Sequence, residues 1–586
     1  CIWTLPTTTP PLDLSLAGYL TVVPGLLFIC SAWTVSNLLR RIWYGYFAFV
    51  SVLLSVIFTV DLGLYEYWGF RLDATPLFYF FSSPKDAVAS VSIWVVIGGI
   101  IAMVAYAAAL YGIFHGVLLR KRVFERMKIP YRRLRVSGVL LLLTGLLFIP
   151  IRGGFTVSTM NTGKVYFSTD QRLNHAAINP AFSLMESLSK QKDFGSQYRF
   201  MEADAADRIF SGLTDPAVPM RDGISADSLQ QAPDSLHSLF TTKLPDVLFI
   251  IMESFSSWLM TTLGGEPGVA VQLDSLAQEG VLFTNFYANS FRTDRGLVST
   301  LSGHISYPTT SIMKLPAKSR LLPGIARTLQ QAGYQTDFLY GGDINFTNMR
   351  SYFTTTGYQH LTSDTDFSLQ ERTSSSWGAH DEYTFDRLYE MLESRPADRL
   401  WHTGFLTLSS HEPFEVPYNR LKDKRQNSFA YTDHCLGEFI DRLKQLPAWN
   451  NLLVICLPDH GSSPTFNVTS PTFYHIPMLW LGGAIKAPAV IHTLMNQSDM
   501  PATLLGQLGL PHQDFKYSRN IFSTSYTYPF AYSTFSDGFM FKDSTGVTIF
   551  DNAARKPVYN EPAPDGAREE KGMAILQTSY DQLGEN

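Results

Sequence analysis

Potential metal ligands follow several apolar runs of this 586-residue chain. Glu253 ends the run DVLFIIME, Asp459 and His460 follow NLLVICLP, and His411 follows HTGFLTLS. A fourth segment, SFRTDRG, carries Thr293 just before the helical pattern LVSTLSG. Carboxylate, hydroxyl and imidazole groups suit one Mn²⁺, Mg²⁺ or Zn²⁺ ion, and the set has no thiolate that would favour Zn²⁺ alone. If these segments converge, they form a site for one divalent cation.

Thr293 is the member of this set that could attack a substrate. A free hydroxyl is a poor nucleophile, but metal coordination lowers its pKa and supplies an alkoxide near neutral pH. Backbone N–H groups at a helix start also favour an incoming phosphate. The same spacing fits a threonine that only caps the helix equally well. The spacing alone therefore leaves both interpretations open.

The elements that must position these residues alternate between strand and helix from residue 244 onward. This alternation predicts a mainly parallel sheet with helices on both faces. In an open α/β sheet, ligands bind beyond the carboxyl ends of the strands, where the residues named above would lie. The tail 529–562 predicts a small antiparallel sheet or hairpin, and 567–583 predicts a closing helix. Strands are predicted at 246–253, 335–340, 402–409 and 451–458, and helices at 271–280, 321–332, 427–446 and 497–509.

The first 150 residues are mostly apolar and predict a bundle of membrane-spanning helices, since a bilayer core needs about 20 apolar residues. Lys and Arg residues in short loops set the orientation. Arg40, Arg41 and the stretch Arg120–Arg135 therefore predict cytoplasmic loops, and the 62–89 loop and everything after Ile151 would lie outside. The first residue would also lie outside, so we expect one further span upstream and five in all. The four predicted spans are roughly 16–37, 44–64, 90–117 and 136–151.

The composition excludes several classes of protein. Hydrophobic residues make up 46% of the chain and charged residues 17%, which excludes a disordered chain. The four cysteines have neither the number nor the spacing of a disulfide framework or a cysteine metal site. The net charge is −5, and the largest basic cluster, Arg120–Arg135, lies between two apolar runs. A nucleic-acid-binding protein concentrates positive charge on its globular part, so we expect no nucleic-acid partner.

The chain is predicted to have four parts. An amphipathic helix at 179–190 and a linker at 212–243, rich in Asp, Pro, Ser and Gln, separate the membrane half from the globular half. The parts are a transmembrane helical domain at 1–151, a juxtamembrane helix and linker at 152–243, a catalytic domain at 244–525, and C-terminal antiparallel strands with a closing helix at 526–586.

The order of the motifs resembles that of the lipoteichoic acid synthase-like branch of the alkaline phosphatase/sulfatase superfamily. The motifs are IIMESF, FRTDRG, GGDINFTNMR, WGAHDE, TLSSHEPF and LPDHGS. The resemblance implies an α-helical transmembrane bundle followed by an α/β sulfatase-like domain with a mostly parallel central sheet. It also implies that Glu253, Thr293, Asp459 and His460 are the metal ligands and that Thr293 is the nucleophile.

The resemblance assigns substrate contacts as well. His411 corresponds to a histidine that contacts the substrate phosphate and assists proton transfer. Arg350 corresponds to a substrate-binding arginine, and Asp343 to an acidic residue of the pocket. The chain departs from the family at two positions, because Asn348 stands where the family typically has Trp and Gly341 where a histidine is expected. The metal and nucleophile set is intact, whereas the phosphoglycerol-specific part of the pocket differs.

The activity that the resemblance implies is a double displacement that uses one divalent cation, for which Mn²⁺ is the first candidate. A phosphoglycerol-type head group would leave a phosphatidylglycerol-like membrane phospholipid, form a phospho-threonine ester, and pass to a glycan or glycolipid acceptor. The enzyme would be a multi-pass protein of the cell membrane with its catalytic domain outside the cytoplasm.

Other functions fit the sequence less closely. Phosphoethanolamine transferases often have a disulfide-rich outer domain, whereas only Cys435 and Cys456 lie beyond the first 30 residues here. Sulfatases that use formylglycine need Cys or Ser in a C/S-x-P-x-R context, and Thr293 is followed by Asp-Arg. A phosphodiesterase and a non-catalytic membrane protein that binds glycan or lipid also remain open. His475, in FYHIP, fits a core or rim position better than a place in the site.

Overall fold

The computed structural model divides the chain into two compact units, Cys1–Lys192 and Asp193–Asn586. The predicted boundaries at 151, 243 and 525 stay predictions. The predicted linker at 212–243, the 62–89 loop and the basic stretch 120–135 lie mostly outside the described residues. The structure describes residues 10–34, 36–68, 71–72, 93–118, 132–155, 158–168, 171–190, 194–195, 197–214, 238–396, 398–465, 467–535, 538–552 and 554–585.

Within the described residues, the first unit contains four helical segments long and apolar enough to cross a membrane. They extend over Pro11–Trp33, Asn37–Tyr65, Trp94–Val117 and Arg133–Arg152. The prediction of a first span at 16–37 was wrong at its end, because the first helix stops at Trp33 and the second begins at Asn37. The helices are Pro10–Trp33, Asn37–Trp68, Ile93–Val117, Arg133–Leu146 and Phe148–Arg152.

A small residue allows close packing in this unit. A Cβ atom on Gly25 would lie 2.4 Å from the Thr144 hydroxyl oxygen, so only a glycine fits at this crossing. The outward surfaces of the helices remain apolar, as expected where lipid is the solvent; Trp94, for example, is 78% exposed. The two longest central helices, Asn37–Trp68 and Ile93–Val117, pack side by side.

A buried ion pair lies near the end of the second long helix. Asp61 accepts hydrogen bonds from Arg71 Nη1 at 2.5 Å and from the backbone N–H of Leu72 at 2.8 Å. Arg71 Nε also donates to the carbonyl of His175 at 2.7 Å, and the Tyr65 hydroxyl lies 3.2 Å from His175 Nδ1. These bonds fix the short helix Gln171–Ala177 to the long one. The predicted amphipathic helix at 179–190 is confirmed as Pro180–Lys190.

The second unit is built on a nine-stranded sheet with the order β4-β3-β5-β1-β6-β7-β2-β8, in which β9 pairs with β2. Strands β4, β3, β5, β1 and β6 are parallel to one another. Strand β7 is antiparallel to both β6 and β2. The strands are β1 Asp246–Met252, β2 Val281–Tyr287, β3 Gln335–Tyr340, β4 His360–Thr362, β5 Trp401–Leu406, β6 Leu452–Pro458, β7 His475–Leu481, β8 Ala489–Ile491 and β9 Met495–Asn496.

Helices cover both faces of this sheet, as the alternation of elements predicted. Val247 and Phe249 of β1 belong to the core on one face, and Leu248 and Ile250 to the core on the other. Both faces of the sheet are covered and shielded from water at β1, which explains why this strand is apolar at every position after Asp246. The α-helices of this unit are Ala203–Thr214, Val271–Leu276, Thr293–Ser302, Pro316–Ser319, Ile325–Gln331, Met349–Thr356, Leu369–Arg372, Asp381–Glu393, Lys424–Leu443, Pro471–Tyr474, Met500–Gln507 and Gly566–Glu585.

A four-stranded antiparallel sheet precedes the last helix, which confirms the predicted C-terminal sheet. The closing helix, Gly566–Glu585, packs on β11 of this sheet and against the helix Ala203–Thr214. Thr578 of the closing helix donates a hydrogen bond to Asp207 at 3.0 Å. The four strands are β10 Ala531–Phe535, β11 Gly538–Asp543, β12 Gly546–Asp551 and β13 Lys556–Glu561.

Candidate metal and phosphoryl-transfer site

Four of the predicted site residues follow the carboxyl ends of adjacent parallel strands. Glu253 follows β1, Asp459 follows β6, and Asp343 comes three residues after the end of β3. His411 lies five residues after the end of β5. Because these strands are neighbours and parallel, all four residues lie at one edge of the sheet, where open α/β sheets bind their ligands.

Glu253, Asp459 and His460 form a compact trio of potential ligands. One ligand atom from each lies within 4.8 Å of those of the other two. His460 Nε2 is 3.5 Å from Glu253 Oε1 and 3.6 Å from Asp459 Oδ2. All three side chains are buried, so the two carboxylates are held close together away from water.

Two further observations indicate that the trio is suited to binding a divalent cation. Asp459 Oδ2 is buried and has no hydrogen-bond partner among the residues that the structure describes, an arrangement that costs free energy unless a cation is bound. His460 Nδ1 donates to the carbonyl of Gly461 at 2.9 Å, so Nε2 is the nitrogen that faces Glu253 and Asp459 with its lone pair. Two carboxylates and one imidazole leave room for a fourth, substrate-side ligand, as in catalytic sites.

Thr293 lies beside this trio. Its hydroxyl donates to Glu253 Oε2 at 3.2 Å, across forty positions of sequence. Thr293 is the first residue of the helix Thr293–Ser302, and the extended residue Arg292 occupies the N-cap position. The interpretation of Thr293 as only a helix cap was therefore wrong. Its side chain faces Glu253, and the N-terminus of the helix adds a local field that favours an anion.

The charges of the trio depend on each other. Burial raises the pKa of Asp459 to about 7, and the nearby charge of Glu253 adds to this rise. Burial opposes ionisation of Glu253 too, but the hydrogen bond and charge of His460 outweigh it and lower the pKa to about 2. Burial also disfavours the imidazolium, yet the charges of Asp459 and Glu253 raise the pKa of His460 to about 9. Without a cation, the trio thus holds a proton on His460.

Several supporting residues were not predicted from the sequence. Ser254 has a φ of 59°, and this bend lets its N–H bond Asp459 Oδ1 at 2.8 Å and its hydroxyl bond Glu253 Oε1 at 2.7 Å. Thr407 Oγ1 accepts the N–H of Glu253 at 3.0 Å. Gln497 Nε2 donates to the carbonyl of Asp459 at 2.7 Å. For Ser254 and Thr407 the signal in the sequence was a hydroxyl within a motif, which is too common to be diagnostic.

Arg350 and Asp343 lie in a second cluster at the same edge. Asn345 connects them, because its side-chain oxygen accepts Arg350 Nε at 2.9 Å and its amide donates to Asp343 Oδ1 at 2.9 Å. Burial raises the pKa of Tyr340, with further rises from the charges of Glu253 and then Asp343. Tyr340 is therefore within electrostatic reach of both the trio and the Arg350 cluster.

His411 lies on the loop after β5, with its ring 4.2 Å from the ring of Trp377. The hydroxyl of Ser410, the preceding residue, donates to the carbonyl of Glu253 at 2.7 Å and so holds this loop against the trio. The positive form of His411 helps to lower the pKa of Glu253, after the larger effects of burial and His460. His411 is thus a neighbour of the trio without belonging to it.

Two other positions marked in the sequence have structural explanations. His475 Nε2 bonds the carbonyl of Thr284 at 2.9 Å, and its ring stacks on Tyr287, which fits the predicted core or rim position. A Cβ on Gly341 would lie 2.6 Å from Thr384 Cγ2, so no histidine fits there in this chain. Asn348 is buried, and its backbone adopts the left-handed region with a φ of 68°.

Residues 245–510 match the sulfatase family. The lipoteichoic acid synthase-like protein YvgJ of Bacillus subtilis is 24% identical over 323 residues, which cover 49% of this chain and 51% of that protein. The lipoteichoic acid synthase of Staphylococcus saprophyticus is 24% identical over 382 residues, 58% of this chain and 57% of that protein. This chain is similar to lipoteichoic acid synthase-like proteins of the sulfatase superfamily. The expected resemblance is confirmed, and the alignment spans only about half of each of these two relatives.

Solved structures confirm the expected fold class. A member of the alkaline phosphatase superfamily from Vibrio parahaemolyticus superposes with a TM-score of 0.54 at 23% identity, covering 66% of this chain and 98% of that one. The lipoteichoic acid synthase LtaP of Listeria monocytogenes superposes with a TM-score of 0.50 at 16% identity, covering 61% and 96%. At these identities the superpositions establish the fold alone.

Proposed function

We propose that the protein is a membrane-anchored transferase that moves a phosphoglycerol-type head group from a phospholipid to an acceptor outside the cytoplasm. The observation that carries this proposal is the 3.2 Å contact between the Thr293 hydroxyl and Glu253 within the buried trio. A nucleophile beside two carboxylates and an imidazole, at the N-terminus of a helix, is suited to phosphoryl transfer. The family match supports a phosphotransferase-type enzyme.

In the first half-reaction, the Thr293 hydroxyl passes its proton to water, and its oxygen attacks the phosphorus of the donor diester. The bond between phosphorus and the diacylglycerol oxygen breaks, and His411, protonated on both ring nitrogens at this stage, gives that oxygen the proton of Nε2. The head group is then held as a phosphodiester of Thr293. In the second half-reaction the acceptor hydroxyl gives its proton to His411 and attacks phosphorus, and Thr293 leaves as its oxygen takes a proton from water. His411 is thereby ready for another cycle.

Glu253, Asp459, His460 and Thr293 would hold the cation, with Mn²⁺ our first choice. When bound, a divalent cation supplies Lewis acidity that acidifies the threonine hydroxyl and balances charge on the phosphoryl oxygens. Arg350 binds a phosphoryl oxygen through the guanidinium nitrogens that Asn345 does not hold. Such fixed positive charge is the main requirement of phosphoryl transfer.

The membrane helices give the enzyme access to a donor that is confined to the bilayer. We propose a multi-pass protein of the cell membrane, with the second unit outside the cytoplasm, on the distribution of Lys and Arg between the spans. The donor would be phosphatidylglycerol-like, and the acceptor a glycan or glycolipid with a free hydroxyl.

A phosphoethanolamine donor is the second candidate, and one feature of the Arg350 cluster favours it. Asp364 donates its N–H to the carbonyl of Gly342, next to Asp343. Burial, and then the charge of Asp343, raises the pKa of Asp364. Each of these two carboxylates disfavours ionisation of the other. An ammonium group such as that of ethanolamine would stabilise both negative charges.

The experiment that tests the proposal supplies the purified full chain with Mn²⁺ and with labelled phosphatidylglycerol or phosphatidylethanolamine in separate reactions. The expected result is release of diacylglycerol from phosphatidylglycerol, and loss of that release in Thr293→Ala. Release from phosphatidylethanolamine alone would favour the second candidate. Release that requires only water, with no transfer to an added glycolipid, would identify a phosphodiesterase. No release from either lipid would contradict the enzyme proposal.

A further inference from the structure

We propose that Trp377 is a positioning residue that holds the His411 imidazole in the orientation and tautomer required for proton transfer. This inference rests on the proposed function, because it concerns the proton that His411 gives to the leaving oxygen. It assigns a role to the Trp-Gly turn before the helix Asp381–Glu393, which the phosphoryl-transfer scheme above does not use.

One carbonyl oxygen fixes both rings. The carbonyl of Glu412 accepts His411 Nδ1–H at 2.9 Å and Trp377 Nε1–H at 2.8 Å. Because a carbonyl can only accept, this contact places the proton of the neutral His411 on Nδ1. Nε2 then carries the free lone pair, and it has no hydrogen-bond partner in the part of the chain that the structure describes. That nitrogen is the one available to exchange a proton with substrate.

The indole also limits rotation of the imidazole. The two ring centroids are 4.2 Å apart at an interplanar angle of 50°. The ring of Phe346 packs edge-on against the ring of Trp377, with an interplanar angle of 76° and ring centroids 5.6 Å apart. An imidazole on an otherwise exposed loop would sample several rotamers, and contact with a fixed indole removes them. Trp377 thus acts through His411 in this scheme.

A close crossing of two backbone segments brings Trp377 to this place. Gly378 pairs with Gly342 in an isolated antiparallel bridge just beyond β3. A Cβ on Gly378 would lie 2.2 Å from the carbonyl oxygen of Gly341, and Gly378 has a φ of 147°. Only glycine satisfies both conditions. The crossing therefore fixes the preceding residue, Trp377, at the rim between β3 and the His411 loop.

The test compares two donors with different leaving groups, using the full chain in detergent with Mn²⁺. Phosphatidylglycerol releases an alkoxide that needs a proton, whereas the 4-nitrophenyl ester of glycerophosphate releases a phenolate that does not. If Trp377 positions the general acid, Trp377→Ala lowers kcat on phosphatidylglycerol by roughly tenfold or more, and lowers kcat on the nitrophenyl ester by less than about threefold. Trp377→Phe keeps the ring contact but lacks the N–H, and should fall between wild type and Trp377→Ala.

A double-mutant cycle with His411→Gln provides the second readout. Once His411 is gone, Trp377→Ala should cause no further loss, since a residue that acts through another has no independent effect. Equal losses on both donors, or a Trp377→Ala loss of the same size in the His411→Gln background, would overturn the inference. These results are distinguishable from failure of the proposed function, in which the wild-type chain itself would not release diacylglycerol. Circular dichroism of each variant identifies any loss of folding, and Trp377→Phe then carries the test.

Discussion

Gly296 lies directly against the main-chain carbonyl of Asp459. A Cβ atom at position 296 would be 1.7 Å from that oxygen, so the helix that begins at Thr293 packs on the end of β6 through a bare backbone. The side-chain amide of Gln497 donates a hydrogen bond to the same carbonyl and another to the hydroxyl of Thr300 in that helix. The backbone contact at Gly296 therefore helps to position both Thr293, the proposed nucleophile, and Asp459, a proposed metal ligand.

Gly296→Ala should separate the nucleophile from the trio. The methyl group has no space, so the helix must move, and a displacement of about 1 Å at a reacting group can lower turnover about 100-fold. The free energy of unfolding should also fall by about 1–3 kcal/mol. Turnover of the lipid donor and the melting temperature of the full chain measure the two effects.

Gly566→Ala is the matched control, because nothing lies within 4 Å of a Cβ at that position. It should change neither quantity appreciably. Unchanged turnover in Gly296→Ala would show that the helix tolerates the shift, and would contradict the dependence of the nucleophile on this contact.

Much of the candidate site could be predicted because its residues follow strands that can be recognised from their sequence pattern. β1 and β6 are buried at all seven positions, and such unbroken apolar runs are typical of parallel strands with both faces covered. Glu253 and Asp459 follow those runs directly. Thr293 depended on the family resemblance, because a threonine at a helix start is equally suited to capping.

The binding of metal should become tighter as pH rises. The pKa of His460 is raised to about 9 and that of Asp459 to about 7, and both groups must be deprotonated to bind a cation. Between pH 7 and pH 9 one proton, that of His460, leaves for each cation bound. The apparent affinity for Mn²⁺ should therefore rise by about tenfold per pH unit in that window. Titration calorimetry of the chelator-treated protein measures it.

The matched control for this titration is His434→Gln, which removes a surface imidazole that pairs with Glu438. It should keep the slope, whereas His460→Gln should bind more weakly and with a flatter dependence on pH. An affinity for Mn²⁺ that stays constant from pH 7 to pH 9 would be incompatible with a protonated His460 in the cation-free site.

Other features could not be predicted, for identifiable physical reasons. β7 contains a proline, which disfavours a strand assignment, and it pairs antiparallel in a sheet expected to be mainly parallel. The supporting hydroxyl of Thr407 is 154 positions from Glu253 in sequence, so only the folded chain shows the contact. The partners of Trp377 were hidden in the same way, since its neighbours Phe346 and His411 lie on other loops.

Asp61→Asn should destabilise the helical unit. It leaves the Arg71 guanidinium without its buried carboxylate, and breaking a buried pair costs about 3–5 kcal/mol. Asp61→Asn/Arg71→Gln removes both charges and should recover part of the loss. Thermal unfolding of the full chain in detergent micelles measures the effect.

Asp13→Asn is the control for this pair, since Asp13 is exposed and its hydrogen-bond partner among the described residues is a neutral amide, that of Asn179, at 2.6 Å. It should shift the free energy of unfolding by no more than about 0.5 kcal/mol. Equal melting temperatures for Asp61→Asn and Asp13→Asn would show that the buried pair does not hold the Gln171–Ala177 helix in place.

The covalent step on Thr293 is the most direct test of the proposed function. The full chain is incubated with Mn²⁺ and phosphatidylglycerol in the absence of acceptor, quenched in acid, digested, and analysed by peptide mass spectrometry. The proposal predicts one glycerophosphoryl group on Thr293 and no adduct in Thr293→Ala, with Thr293→Ser retaining the adduct. Diacylglycerol release without any adduct on Thr293, or release that persists in Thr293→Ala, would contradict it.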